Sequence, residues 1–492
     1  MNIVFATATQ LAQMIRDKEV SAVEVLNAYL ERIDKYNERI NAIATINKEA
    51  KNRAIKADEA LAKGENWGAL HGVPVTIKDT LETAGLLTTA GYSPLKNYIP
   101  SEDATTVARL KAAGAIILGK TNTPQLAGDY QTQNPIFGRT NNPWDLERTV
   151  GGSSGGSASA VAAGFSALDI GSDVAGSIRH PAHYCGVYGL MPTDRRVPTT
   201  GHIPPLPKQS QYIRHLLRIG PLARSVADLQ LCFSLIAGAD IRQPEIPPVA
   251  LNEPTQKQLS DLRIAWTCGY DFLPVSKDTR HLIQTAMNRL SKAGCYLEQC
   301  NPTDLDWEEA LALCSAMESY ELFTSASERG IFSAIWMGIT TELTARTQTA
   351  FKSGTPFARK GNLTFPPSMA KYKAILTQRD RIMAQMDCFM NDWDAWICPV
   401  SISPAFAHCD FGKPIKVDGV KFPYLLACGG YTMPLNLTGS PVVVIPIGQS
   451  ESVPIGVQIV GKRWQDMELL KVAKIISSVI GDLQHPLLIT KS

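Results

Sequence analysis

The stretch from Val150 to Thr193 constrains this chain more than any other: VGGSSGGSASAVAAGFSALDIGSDVAGSIRHPAHYCGVYGLMPT. It is dense in Gly, Ala and Ser, where a core-building segment would carry branched apolar side chains. Small residues let backbone come close to backbone or to a ligand. Two turns rich in Gly and Ser, Gly151 to Ser157 and Asp173 to Arg179, flank a helix-like run from Ser157 to Gly164. Each turn can present backbone N–H groups and a hydroxyl at one point, which is how a site for developing negative charge is built.

Upstream, Val73-Pro74-Val75-Thr76-Ile77-Lys78-Asp79 reads as a short apolar strand ending in a lysine. A serine alkoxide is a strong nucleophile but serine is a poor acid, so it needs a base. Lysine serves if burial keeps it neutral, because desolvation disfavours the charged form. Taken alone, Lys78 reads better as an ordinary surface lysine at a strand end than as a base.

Together these pieces resemble the amidase signature family: GGSSGGS, then GSDxxGSIRxPAxxCGVxGLxPT, with the VPVTIKD lysine upstream. Similar stretches extend over most of the chain, among them Leu118 to Pro124, Arg139 to Asp145, Gly220 to Val226 and Asn436 to Gln458. The resemblance implies Ser177 as acyl-forming nucleophile, Ser153 as a bridging serine on a cis peptide, and Lys78 as base. It implies an oxyanion hole from the backbone N–H groups of Val174, Ala175, Gly176 and Ser177; separately, Tyr130, Gln133 and parts of 305–440 are expected to form the acyl pocket, and Ser154 to contact substrate. One departure is Ala175, where the family often has glycine; its methyl is expected to narrow the floor of the site.

Other motifs compete. Gly114-Ala115-Ile116-Ile117-Leu118-Gly119-Lys120-Thr121 fits G-x-x-x-x-G-K-[ST], the phosphate loop of nucleotide hydrolases. Here Ala115 to Leu118 read as the strand itself, and Pro124 interrupts any helix that should follow. Gly152-Ser153-Ser154-Gly155-Gly156 matches G-x-S-x-G and would make Ser154 a nucleophile, with His408 or His485 as partner. That elbow needs a strand directly before it, and Trp144 to Val150 is polar and interrupted. His180 and His183 are expected to line the pocket or pack, and Asp173 and Arg179 to fix the turn through hydrogen bonds to backbone. Lys120, Arg139 and Asp145 read as structural.

The formal net charge is +2 with no basic or acidic block, so nothing supports a nucleic-acid or anionic-membrane partner. Ten scattered cysteines form no CxxC and no Cys/His cluster with metal-ligand spacing; reduced core thiols in the cytoplasm are expected. The start, MNIVFATATQ, lacks a signal-peptide pattern, and no run approaches the ~20 apolar residues of a spanning helix.

Along the chain, Thr7-x-x-Gln10 and Ser21-x-x-Glu24 are capping boxes, the second opening a helix with Ala22, Leu26, Tyr29, Leu30 and Ile33 on one face. Ala42 to Ala62 reads as a polar-faced helix, and Asp103 to Ala113 as another before the strand Ala115 to Leu118. Residues 241–260 read as a surface excursion. A strand follows at Leu262 to Trp266 and a helix from Asp278 to Gly294. Residues 305–390 read as largely helical, with a loop from Lys352 to Pro367, and are expected to cap the site and select the substrate. Strands at Ala395 to Cys398, Val442 to Ile445 and Val457 to Val460, and a helix from Met467 to Ile480, close the chain.

The expected fold is α/β: a central mixed twisted sheet with helices on both faces, in one domain over residues 1–492 whose signature core covers about 65–230. The expected activity is hydrolysis of a small-molecule amide to carboxylate and ammonia or amine, through a Ser-Ser-Lys triad and an acyl-enzyme, with no metal or cofactor; a homodimer is compatible with this reading. One alternative is the glutaminase component, the A chain, of the glutamyl-tRNA amidotransferase. Those chains usually carry Asp-Gln shortly before the Gly-Pro that follows the signature, and here Leu217-Arg218-Ile219 stand there. A phosphate-loop nucleotidase and a non-catalytic binding protein on the same fold are the others, and intact Lys78, Ser153 and Ser177 argue against the last.

Overall fold

The structure is a computed structural model that describes residues 2–326, 368–481 and 485–486. Both capping boxes form. Thr7 caps helix α1, Ala8–Arg16, and Ser21 with Glu24 caps helix α2, Ala22–Ile40. Ala22, Leu26, Tyr29 and Ile33 are buried as the 3.6-residue period requires, and Leu30 is partly buried against the same cluster.

The single helix expected from Ala42 to Ala62 is instead strand β1, Ile43–Ile46, followed by helix α3, Ala50–Ala62. Two β-branched isoleucines and Thr45 favour extended backbone. A tertiary partner decides the matter: β1 lies antiparallel on the strand Ile116–Thr121, and the Asn47 side-chain amide donates to Ile117 O at 2.7 Å. The buried stripe of α3 is only Ala50, Ala54, Ala57 and Ala60, so a polar face around small residues is what the sequence displays.

Further strands are β2 (Pro74–Lys78), β3 (Ile116–Thr121), β4 (Leu168–Asp173), β5 (Tyr188–Met191) and β6 (Arg218–Ala223). Then come β7 (Arg263–Trp266), β8 (Tyr296–Gln299), β9 (Ala395–Pro399), β10 (Val442–Ser450) and β11 (Val453–Val460). With β1 they make one 11-stranded mixed sheet in the order β1-β3-β2-β4-β6-β5-β10-β11-β9-β7-β8. Alternate residues face opposite sides. Ile455, Val457 and Ile459 of β11, with Ala395 and Ile397 of β9, join the apolar cluster shared with α1, α2 and the helix Asp466–Ile480. Val460, Trp396 and Cys398 point the other way, into a cluster with the helices Trp307–Ala326, Met369–Met390 and Met433–Thr438.

The helices expected near residues 103, 278 and 467 form as Thr105–Ala112, Lys277–Lys292 and Asp466–Ile480. Residues 305–390 supply the helices Trp307–Ala326 and Met369–Met390, and the loop expected from Lys352 to Pro367 lies outside the described residues. No helix among the described residues is long and apolar enough to cross a membrane.

The arrangement of three strands places the site. β2 runs parallel to β3 and to β4, with Thr76 opposite Asp169, while β4 and β6 are antiparallel. The carboxyl ends of β2 and β4 therefore lie side by side, and both carry polar residues there, Lys78 on one and Ser172 and Asp173 on the other. Crevices at the carboxyl ends of parallel strands are the usual ligand sites of open α/β sheets.

Candidate active site

Lys78 ends a strand buried at every position, and its own side chain is fully enclosed. Its ammonium donates to Ser153 Oγ at 2.6 Å and to Ser172 Oγ at 3.0 Å. Burial drives the amine down from 10.5 to about 7, against the pull of the Asp173 and Asp169 carboxylates. A lysine in this position exchanges a proton readily at neutral pH.

Ser153 follows a cis peptide bond from Gly152. Ser153, Ser172 and Ser177 line one cleft of about 450 Å³, walled by Leu126, Ala127, Val174 and Ile213 and closed by His202, Pro204 and Glu318. The Glu318 carboxyl is pushed up to about 7 by burial and by neighbouring Glu321.

The turn from Asp173 to Arg179 is held from inside. Asp173 accepts from the N–H groups of Gly176, at 2.8 Å, and Ile178, at 3.0 Å. Arg179 closes a two-point ion pair on the same carboxylate, at 3.1 and 2.9 Å, and both side chains are fully buried. Its remaining N–H groups reach Thr432 O, Gln458 Oε1 and Asn436 Oδ1. The guanidinium and these donors hold the Asp173 carboxyl well below the usual range despite burial. The expected structural role of Asp173 and Arg179 is what the hydrogen bonds describe. Gly176 has φ +121°, and a Cβ there would collide with Thr432 Oγ1, so glycine is required. Ala175 tolerates its methyl, which packs against two apolar clusters and does not line the cleft.

Three residues expected to touch substrate are not among those that line this cleft. Tyr130 donates its hydroxyl to Ala175 O at 2.8 Å, which steadies the turn from behind. Gln133 is exposed on a two-residue hairpin strand, opposite Arg139. Ser154 is fully buried; its hydroxyl donates to Ser172 O and accepts from Ser172 N, pinning the backbone of Ser172. Neighbours in sequence diverge because the turn directs Ser153 into the cleft and Ser154 into the sheet.

Histidines near Ser177 in sequence pack. His180 is fully buried against Tyr130 and Tyr184, and neither ring nitrogen has a hydrogen-bond partner among the described residues. His183 Nδ1 accepts from Gly456 N at 2.7 Å. His485 stacks on Phe5, and His408 meets Leu146 O, so neither faces Ser154. Lys120 lies inside strand β3 and donates to Leu81 O and to the hydroxyls of Thr83 and Thr88, the geometry of a structural lysine and not of a phosphate loop. Ser172, His202 and Glu318 escaped the sequence reading. Ser172 lies within the GSD of the signature, but nothing local marks His202 or Glu318.

The Amidase family profile matches residues 24–470. The chain is 35% identical over 489 residues to the A component of the glutamyl-tRNA(Gln) amidotransferase of Carboxydothermus hydrogenoformans, covering 96% of this chain and 97% of that protein. It is 31% identical to indoleacetamide hydrolase of Bradyrhizobium diazoefficiens, covering 98% and 88%. A bacterial aryl acylamidase structure superposes with TM-score 0.81 at 22% identity, over 99% of both chains, which speaks to the fold. The chain belongs to the amidase signature family. It is, with that family, an enzyme that hydrolyses amide C–N bonds.

Proposed function

We propose that the chain hydrolyses a small carboxylic acid amide with Ser177 as nucleophile, Ser153 as proton relay and Lys78 as base. The observation that carries this reading is the 2.6 Å contact between buried Lys78 and Ser153, at the floor of the cleft that Ser177 also lines. With Lys78 neutral, its lone pair accepts the Ser153 proton as Ser153 takes the proton of Ser177. Ser177 Oγ then bonds the carbonyl carbon. The oxyanion draws on the N–H groups of Val174, Ala175 and Ser177, because that of Gly176 is taken by Asp173. The proton returns through Ser153 to the leaving nitrogen, the C–N bond breaks, and water hydrolyses the acyl-enzyme.

The test is a screen of aliphatic, aryl and long-chain amides for release of ammonia or amine, beside Ser177→Ala and Lys78→Ala. Turnover lost in both variants supports the assignment; turnover that survives Ser177→Ala removes it. The likeness to the amidotransferase components favours a second reading, a glutaminase working with partner proteins. Glutamine turned over only when such partners are added would select it.

A further inference from the structure

Ser172 and His202 continue the line of hydroxyls and amine behind the nucleophile. His202 is buried and reaches Ser172 Oγ through Nε2 at 2.9 Å and Pro204 O through Nδ1 at 3.0 Å. A carbonyl oxygen only accepts, so Nδ1 carries the proton. The enclosed ring is neutral: burial, with Lys78 nearby, brings it down to about 3. Nε2 is therefore an acceptor, and Ser172 must donate its hydroxyl proton to it. That leaves Ser172 Oγ with only lone pairs toward Lys78 Nζ, 3.0 Å away.

We infer that His202, acting through Ser172, is a positioning residue that fixes the direction of the proton relay. Because Ser172 can only accept from Lys78, the lone pair of the neutral amine is kept off Ser172 and directed to Ser153. The frame is fixed by main chain on both sides. Ile203 N donates to Thr80 O at 2.7 Å and Glu82 N to Gly201 O at 2.8 Å, which tie the His202 segment to the loop after Lys78. Ser154 pins Ser172 from beneath. The charged groups that act on Lys78 are Asp169 and Asp173, and Glu318 shares the cleft; none of them touches His202 or Ser172 through a hydrogen bond among the described residues. The inference rests on the Ser-Ser-Lys reading above.

The test measures phosphonylation of Ser177 by a fluorophosphonate across pH, which needs no knowledge of the substrate. Ser177 Oγ bonds phosphorus, fluoride leaves, and the serine proton passes to Ser153 and Lys78. The variants are Ser172→Ala, His202→Phe, the double variant and Ser172→Thr. Loss of the Ser172 hydroxyl deprives the ammonium of an acceptor. Loss of His202 frees that hydroxyl to turn and donate to the amine. Both favour neutral lysine; the first leaves the amine without the acceptor that orients it, and the second draws its lone pair away from Ser153. Each single variant is therefore expected to slow labelling about tenfold, the worth of one hydrogen bond, and to move the acid limb to lower pH. The double variant should match the singles, and Ser172→Thr should restore both rate and limb. An unchanged limb in His202→Phe, or losses that multiply in the double variant, overturns the inference while leaving Ser177 as nucleophile. Wild type that labels at a serine other than 177, or not at all, overturns the triad and this inference with it.

Discussion

Replacing Lys78 by methionine should abolish activity and yet stabilise the protein at neutral pH. An amine ordinarily at 10.5 is held at about 7 by burial. At pH 7 the unfolded chain carries it charged, so folding must give up part of that proton affinity, a cost of about 4 kcal/mol. The cost is fully present below pH 7. It declines as pH rises, because the unfolded lysine then also loses its proton, and is below about 1 kcal/mol by pH 10. Methionine fills a similar volume without a charge, but forfeits the two hydrogen bonds to Ser153 and Ser172. Those are worth about 1 kcal/mol each. The net gain at pH 7 is about 2 kcal/mol. For 492 residues the unfolding entropy is about 1 kcal/mol per degree, so Tm should rise about 2 °C. Thermal scans of both proteins at pH 7 and pH 10 check this. The gap should close or reverse at pH 10, where lost hydrogen bonds outweigh the remaining cost. A variant that melts lower at pH 7, or a gap that ignores pH, would refute the view that Lys78 is a buried, strained base.

Gly176→Ala should cost at least about a hundredfold in kcat, since the added Cβ collides with Thr432 Oγ1 and the residue has φ +121°; steady-state kinetics on the best amide reads this, and unchanged kcat would contradict the geometry. Arg179→Met should destabilise by about 3–5 kcal/mol because it leaves the Asp173 carboxylate buried without its cation, and denaturant unfolding gives the number. A loss under about 1 kcal/mol would mean that the turn's N–H groups and the Asn436 amide hold Asp173 without the cation.

What could be read from sequence was what is local in the chain. The capping boxes at Thr7 and Ser21 involve residues three apart, and both form. Asp173 and the turn it organises lie within six residues of one another, so their role was visible too. Strand β1 was missed because four residues carry little periodicity and its partner, β3, lies some 70 residues downstream. Which side of its turn Tyr130 or Ser154 faces was not legible, because packing settles it: Tyr130 bonds Ala175 O and Ser154 the backbone of Ser172. The contact of Ser172 with His202 spans 30 residues and that with Lys78 spans 94, so no window of sequence holds all three.

The Arg179 guanidinium has a consequence for synthesis. Its partners Thr432, Asn436 and Gln458 are made long after it, the last 279 residues later. A ribosome adding about 5–20 residues per second needs roughly 14 to 56 s to cover that distance. Through this interval the nascent chain already holds Lys78, Ser153 and Ser177, while the cation that braces the turn from Asp173 lacks three of its acceptors. On the proposed assignment, a truncated product ending before Asn436 would carry Lys78, Ser153 and Ser177 and yet lack two of the acceptors that hold Arg179, and so the turn it braces.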